Sequence, residues 1–401
     1  METGDPSQPS KRFPPENYRP SEAGATPLFE CILRPLLERN GPLSFSRFME
    51  LALYHEEHGY YSDPARHRVG RRGDFATNVS VGPAFGHLLA RRLHQIWELH
   101  RRPPSLTVLE FGPEDGSLAG DILRGAREIS PGFHQVLRYI ACEPIHRKRA
   151  ALAARFGGSS DGTLEIVSSP SGLRFPFGAV IANEVLDALP VRLVRRARDS
   201  WFERLVSLDD GALAWTEAPV REGPLLERLQ SMPSQLPEGY HTEVCLELTP
   251  FFRELSNVFE NAIHLFVDYG FERDDYYHPG RNQGTLQTYA HHQAGTNPLD
   301  TPGERDITAH VDLTSTVEAA RQAGLHFLGC ARQESYLTTL AASFLTSLPD
   351  SPETLPFIRQ FRTLTHPGLF GSRFHVLELT QGAVSPQLAF PCPNQLSDSS
   401  P

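Results

Sequence analysis

The stretch Thr107-Val-Leu-Glu-Phe-Gly-Pro-Glu-Asp-Gly-Ser117 constrains the fold of this chain more than any other. A short apolar run passes into a glycine-punctuated turn, and the turn opens directly into a helical pattern with Leu118, Ile122, Ala126 and Ile129 on one face. A strand that turns at once into a helix needs glycine where the backbone takes positive φ or passes close to a neighbour, and Gly112 and Gly116 supply it. Further units of the same kind follow. Strands are expected near 106–111, 137–142, 163–168, 178–183 and 262–269, with helices near 116–129, 145–156 and 246–259. Repeated βα units predict an α/β fold whose mostly parallel sheet is covered on both faces.

The sequence flanking this core has a different texture. Residues 1–25 are polar and proline-rich and read as a disordered arm. Residues 26–102 read as a helical cap and lid: two helices broken at Asn40-Gly-Pro42, a Gly/Arg-rich loop from Tyr60 to Asn78, and a helix from Pro83 to His100. Residues 103–385 carry the α/β domain, interrupted at 190–240 by an insertion. There Val191-Arg-Leu-Val, Trp201-Phe-Glu-Arg-Leu-Val and Ala212-Leu-Ala-Trp predict an antiparallel meander turning at Asp209-Asp-Gly211. A final helix near 313–323 and β segments at Phe327–Gln333 and Phe374–Leu379 close the sheet, and 386–401 reads as a loose tail.

The loop chemistry narrows the ligand. A dinucleotide asks for a turn that welcomes a pyrophosphate through backbone N–H groups and a helix N-terminus. Here Glu114 and Asp115 stand side by side in that turn, and two carboxylates repel a phosphate pair. S-adenosylmethionine (SAM) carries a sulfonium, an ammonium and a single carboxylate, and suits an acidic loop better. The spacing alone also fits an ordinary βα turn.

Bulk properties exclude several classes. The formal charge of −10 argues against non-specific nucleic-acid or anionic-membrane binding. The five cysteines, Cys31, Cys142, Cys245, Cys330 and Cys392, have no paired spacing, so they read as reduced thiols. With no signal or presequence pattern at the N-terminus, the expected compartment is cytoplasmic. No metal site is expected: His55-Glu-Glu-His58 lacks the spacing of a zinc helix, and His291-His292 reads as a polar loop pair.

Three further segments can bear chemistry, because ligands of an open α/β sheet sit at the carboxyl ends of its strands. Tyr139-Ile-Ala-Cys-Glu-Pro144 ends in Glu143, an acid placed either to accept both ribose hydroxyls or to favour a helix start. Ile181-Ala-Asn-Glu-Val-Leu-Asp-Ala-Leu-Pro190 stops abruptly at Asn183-Glu184, with Asp187 a turn on. Carboxylates beside a buried strand face a wet crevice or hold a cation; otherwise they cap a helix. Gly70-Arg-Arg-Gly-Asp-Phe-Ala-Thr-Asn78 is either a lid or a solvent loop.

In their order along about residues 27–381, these segments resemble the MidA-like SAM-dependent methyltransferases, a family that includes a mitochondrial complex I assembly-factor protein arginine methyltransferase. The resemblance rests on Gly59-Tyr-Tyr61, Gly73-Asp-Phe-x-Thr77, Phe85-Gly86, Glu110-Phe-Gly-Pro113 with Gly116, and Ala182-Asn-Glu184 with Asp187-Ala-Leu-Pro190. It continues through Trp201-x-Glu203, Asp268-Tyr-Gly270, Gly284-Thr-Leu286, Asp306-Ile-Thr-Ala-His310-Val-Asp312 and His366-Pro367. It implies a Rossmann-like class I methyltransferase sheet, SAM as cofactor and a protein substrate, arginine by analogy. The implied cofactor residues are Glu110, Gly112, Gly116, Glu143, Asn183 and Thr77; the implied catalytic acids are Glu184, Asp187 and Asp74, with Asp268 a further candidate. The first loop departs from the family's Leu-Gly-Pro-Gly-Arg-Gly by carrying Glu114 and Asp115, and Asn78-Val-Ser80 replaces Ser-Pro-Glu. Two alternatives stay open at this point: a scaffold that keeps the fold without the activity, and a small-molecule methyltransferase.

Overall fold

The computed structural model describes residues 26–62, 77–156, 164–290, 293–295, 297–349, 351–384 and 387–396. The expected arm at 1–25, most of the Gly/Arg-rich loop with Asp74, and His291-His292 lie outside the described residues. The chain divides into two compact units, one drawn from segments 1–63, 188–247 and 273–310, the other from 64–187, 248–272 and 311–401.

The chain starts in the smaller unit with a π-turn at Phe29–Leu33, helix α1 (Arg34–Asn40), strand β1 (Leu43–Ser44) and helix α2 (Phe45–Tyr54). It enters the larger unit with α3 (Ala84–Leu99), β2 (Leu106–Phe111), α4 (Ser117–Ile129), α5 (Pro131–Val136), β3 (Leu137–Cys142), α6 (His146–Phe156), β4 (Leu164–Val167) and β5 (Phe175–Asn183). It returns to the smaller one for β6 (Arg192–Ala197), β7 (Ser200–Asp209), β8 (Ala212–Pro219), α7 (Gly223–Gln230) and β9 (His241–Val244). The larger unit then takes α8 (Leu248–Ser256) and β10 (Phe259–Phe271), and the smaller α9 (Arg273–Tyr276), β11 (Gln287–Ala290), β12 (Gln293–Gly295) and β13 (Asp306–Thr308). The larger unit ends the path with β14 (Val311–Asp312), α10 (Leu313–Gln322), β15 (His326–Arg332), α11 (Gln333–Ser347), α12 (Leu355–Thr365) and β16 (Phe374–Gln381).

In the smaller unit the expected meander β6–β7–β8 forms and turns through left-handed Asp210 and Gly211. It is larger than the sequence suggests, because β9 pairs with β6 and the two-residue β1 pairs with β7. Phe45, Phe48, Met49 and Leu53 of α2 bury their helical face with Leu193, Val206 and Leu213 of the meander.

The larger unit holds the eight-stranded sheet, in the order β15-β16-β10-β5-β2-β3-β4 with β14 paired beside β10. The neighbours are parallel except for β16, which runs antiparallel to β10 and β15. The chain is thus α/β with a Rossmann-like sheet, as expected. One face (Val108, Tyr139, Ile181, Val267 and Val376) packs with α3, α4 and α11. On the other face Phe266 meets Phe252 of α8, ring centroids 5.2 Å apart. Helices α3 and α4 approach so closely that a Cβ on Gly86 would stand 2.5 Å from that of Asp121.

From β2 the chain passes to β3 on one side and to β5 on the other, so the strand order reverses at β2. That reversal opens a crevice at the carboxyl ends of β2 and β5.

Two expectations need correction. The helix at 313–322 is not the last, because α11 and α12 follow it. The stretch from 386 is not loose throughout. Edge strand β15 carries backbone groups that need partners, and the tail supplies them: Gln395 N donates to Cys330 O (2.8 Å) and Cys330 N to Asn394 Oδ1 (2.9 Å), while Leu388 and Leu396 are buried.

Candidate functional site

The turn after β2 takes positive φ three times in five residues, at Gly112 (+71°), Glu114 (+50°) and Gly116 (+76°). A Cβ on Gly112 would come within 3.1 Å of Val185 Cγ2, and one on Gly116 within 2.4 Å of the Phe156 ring. Positive φ favours glycine at both, and a side chain would need Val185 to give slightly at Gly112 and the Phe156 ring to move at Gly116. Glu114 adopts the left-handed backbone that a glycine would take, so the loop keeps its path. Its carboxylate turns to α6, where the buried Lys148 pairs with it, and Phe111 packs edge-on against Phe251 at 5.2 Å. The neighbouring Asp115 accepts Ser117 N (2.9 Å) and Oγ (2.8 Å) and pairs with Arg155 Nη1 (2.7 Å). Burial would raise its pKa, but Ser117 and Arg155 more than offset this, and the carboxyl titrates below its ordinary range.

Glu110 lies beneath this turn, 3% exposed, and accepts a hydrogen bond from Tyr139 Oη at 2.9 Å. Burial pushes its pKa up to about 7 against the opposing Tyr139 bond, and the Asp115 charge adds to the rise. Glu143 directly follows the last residue of β3. It is 2% exposed, Oε1 accepts Ile145 N (2.9 Å), and Oε2 is 3.5 Å from Lys148 Nζ.

After β5, Glu184 also sits in the left-handed region, at φ +55°. Its N–H continues the ladder to Val267 O (2.8 Å), while Oε1 accepts Asn78 N (3.0 Å) and Asn183 Nδ2 (3.1 Å). Asn78 Nδ2 in turn donates to Asn183 Oδ1 (3.3 Å), and the fully buried Gln333 donates to Asn78 Oδ1 (2.8 Å). Thr77 closes a turn with Ser80, whose N–H it accepts at Oγ1 (3.2 Å), and so fixes the start of this relay.

Asp187 is buried and accepts the Tyr269 hydroxyl. Asp268 Oδ2 accepts the backbone N–H groups of Val185, Leu186 and Asp187 at 3.1, 2.8 and 3.3 Å, and Oδ1 accepts Tyr269 N at 3.0 Å. Burial and the Glu184 charge raise its pKa while those N–H groups oppose the rise. With both oxygens committed to backbone, Asp268 clamps the turn that carries Glu184 and Asp187.

Gly112, Gly116, Glu110, Glu143, Asn183, Glu184 and Asp187 thus gather around the carboxyl ends of β2, β3 and β5. Asp74 lies outside the described residues. Sequence reading missed Asn78 as a bridge, gave Tyr269 no role although it lies in the Asp268-Tyr-Gly270 motif, and assigned nothing to Gln333 or Lys148. The i, i+7 spacing of Lys148 and Arg155 beside two loop acids could have signalled Lys148; the other three had no local signal. Among the described residues no cluster of His, Cys, Asp or Glu could hold a metal, and no helix is long and apolar enough to cross a membrane.

Residues 88–331 match the model of a family described as "Putative S-adenosyl-L-methionine-dependent methyltransferase". The chain belongs to this family. It is a SAM-dependent methyltransferase, and its cofactor is SAM. A Burkholderia thailandensis protein solved with S-adenosyl-homocysteine bound shares 32% identity at a TM-score of 0.78, over 89% of this chain and 93% of that one. The Drosophila melanogaster protein arginine methyltransferase NDUFAF7 homolog, mitochondrial, is 27% identical over 96% of this chain and 92% of its own length. The Homo sapiens protein arginine methyltransferase NDUFAF7, mitochondrial, is 24% identical over 90% of this chain and 85% of its own length.

These names overturn the cytoplasmic expectation, since the curated relatives are mitochondrial proteins. That expectation rested on a missing presequence pattern, which is weak ground for a compartment. The residues of the methyltransferase fit the cofactor. Gly112 and Gly116 carry no side chain into the turn, the buried Glu143 carboxylate suits a ribose diol, and both loop acids have cations on α6.

Proposed function

We propose that the methyltransferase modifies a protein side chain, an arginine ω-nitrogen, and that Glu184 and Asp187 are the acids that act on it. The names of the curated relatives support arginine as the target. One observation carries the assignment of the acids: Glu184 is held in left-handed backbone with its carboxylate oriented by Asn78 and Asn183. Such backbone costs ~1–3 kcal/mol and persists where its surroundings over-determine it, as in catalytic turns.

Bound SAM supplies an electrophilic methyl group on a sulfonium. Gly112, Gly116 and Asn183 would border its seat, Glu143 would accept hydrogen bonds from its ribose hydroxyls, and Glu110 supports the loop from β2. Thr77 acts through Asn78. A guanidinium stays protonated beyond pH ~12 and spreads its charge over three nitrogens. Carboxylates on one side of it draw that charge away from the attacking nitrogen, and one of them takes the released proton. Asp187, oriented by Tyr269, holds the guanidinium in register; Glu184 is the proton acceptor. Fixed placement of the nitrogen supplies much of the acceleration.

The test is Glu184→Gln, with labelled SAM, a mitochondrial extract and mass spectrometry of the labelled proteins. The expected result is loss of transfer by at least about a hundredfold, with SAM affinity within about threefold of the parent. Unchanged labelling removes Glu184 from the mechanism.

A further inference from the structure

The glycine loop and helix α6 are matched in charge. Glu114 and Asp115 are adjacent in the turn, and Lys148 and Arg155 stand seven residues apart on α6, two helical turns and one face. Each cation takes one loop acid. The Arg155 pair is largely solvated, with 49% and 61% of the side chains exposed, and is worth little. The Lys148 site is different. Its side chain is 9% exposed, and its ammonium lies between Glu114 Oε2 and, at 3.5 Å, Glu143 Oε2, itself 3% exposed.

We propose that Lys148 is a positioning residue for the cofactor: by neutralising Glu114 it keeps Glu143 in place at the end of β3, and so sets the affinity for SAM. This rests on the reading of Glu143 as the acceptor of the ribose hydroxyls. With the ammonium gone, the buried Glu143 carboxylate and the partly exposed Glu114 carboxylate (36% exposed) would share one site, where like charges either separate or take up a proton. Glu143 then leaves its place or loses acceptor strength. The acid that creates this conflict is Glu114, which occupies backbone that glycine adopts freely. Removing Glu114 as well relieves the conflict without straining the loop, and Glu143 keeps its bond from Ile145 N.

The experiment is calorimetry with S-adenosyl-homocysteine on the full chain and on Lys148→Met, Lys148→Met/Glu114→Gly and Glu143→Gln, with thermal unfolding of each. Lys148→Met should bind about tenfold more weakly, the double variant should return to within about threefold of the parent, and Glu143→Gln should lose affinity by about tenfold or more. Parental affinity in Lys148→Met overturns the proposal. So does a double variant as weak as the single one, because the lysine would then act through packing alone. If Lys148→Met unfolds, the double variant still decides, since a folded, binding double variant supports the proposal and an unfolded one refutes it. Full affinity in Glu143→Gln sinks the ribose reading underneath.

Discussion

Replacing Glu110 by glutamine should stabilise the larger unit in a pH-dependent way. The native carboxyl titrates at about 7, against 4.5 for an ordinary glutamate, because burial outweighs the hydrogen bond from Tyr139. Between those values the unfolded chain releases the proton that the native state retains. Native stability therefore falls as pH rises from about 4.5 to about 7, and the loss is complete above that window. At ~1.4 kcal/mol per pH unit the whole effect is of the order of 3 kcal/mol. Glutamine has no proton to lose, and its amide oxygen still accepts from Tyr139. The stability of Glu110→Gln relative to the parent should thus grow by about that amount between pH 4 and pH 8. The assay is urea unfolding across this range followed by the fluorescence of Trp97, with Trp201 and Trp215 of the smaller unit replaced by phenylalanine. Other groups titrate alike in both proteins and cancel in the difference. A difference that stays constant with pH would refute the reasoning, because Glu110 would then ionise in the fold as readily as in the unfolded chain.

Two other perturbations probe the same unit. Arg92 donates from Nε and Nη2 to Glu378 at 2.8 and 2.6 Å with both side chains buried, so Arg92→Met should cost ~3–5 kcal/mol in chemical unfolding. Adding Glu378→Gln should recover part of that by removing the stranded charge, and no recovery would contradict the account. Asp268→Asn sets an amide against backbone N–H groups of β10 and the Glu184 turn, and should cost ~1–3 kcal/mol in thermal unfolding while slowing methyl transfer. Parental transfer in a folded Asp268→Asn protein would show that the clamp does not place the catalytic acids.

The legible part of the fold followed from burial. Strands covered on both faces read as continuous apolar runs, so β2, β3, β5 and β10 were found near their true positions, and α4 showed its face through Leu118, Ile122 and Ala126. Helix α11 escaped because Thr, Ala and Ser dilute the stripe made by Tyr336, Leu337, Leu340 and Ala341. β1 and β9 are only two and four residues long and exist by pairing with the meander, which no local pattern announces.

The site divides in the same way. Gly112, Gly116, Glu143, Asn183 and Glu184 were visible because each lies at or just past the end of a strand, and the ends of strands are set by local sequence. Their partners were not visible. Gln333 reaches Asn78 across 255 positions, and Asn78 reaches Glu184 across 106. Hydrogen bonds of that span depend on how helices and strands are stacked, not on what precedes a residue in the chain.

The amino-acid order alone determined an α/β sheet, a glycine turn carrying two acids, and acids at the strand ends, since periodicity, glycine and charge act over a few residues. Tertiary structure decided the rest. It set Glu114 and Glu184 in left-handed backbone, made Asp268 a clamp and brought Lys148 between two carboxylates. Backbone strain and ion pairing are tolerated only where distant segments converge to stabilise them, and that convergence comes from packing.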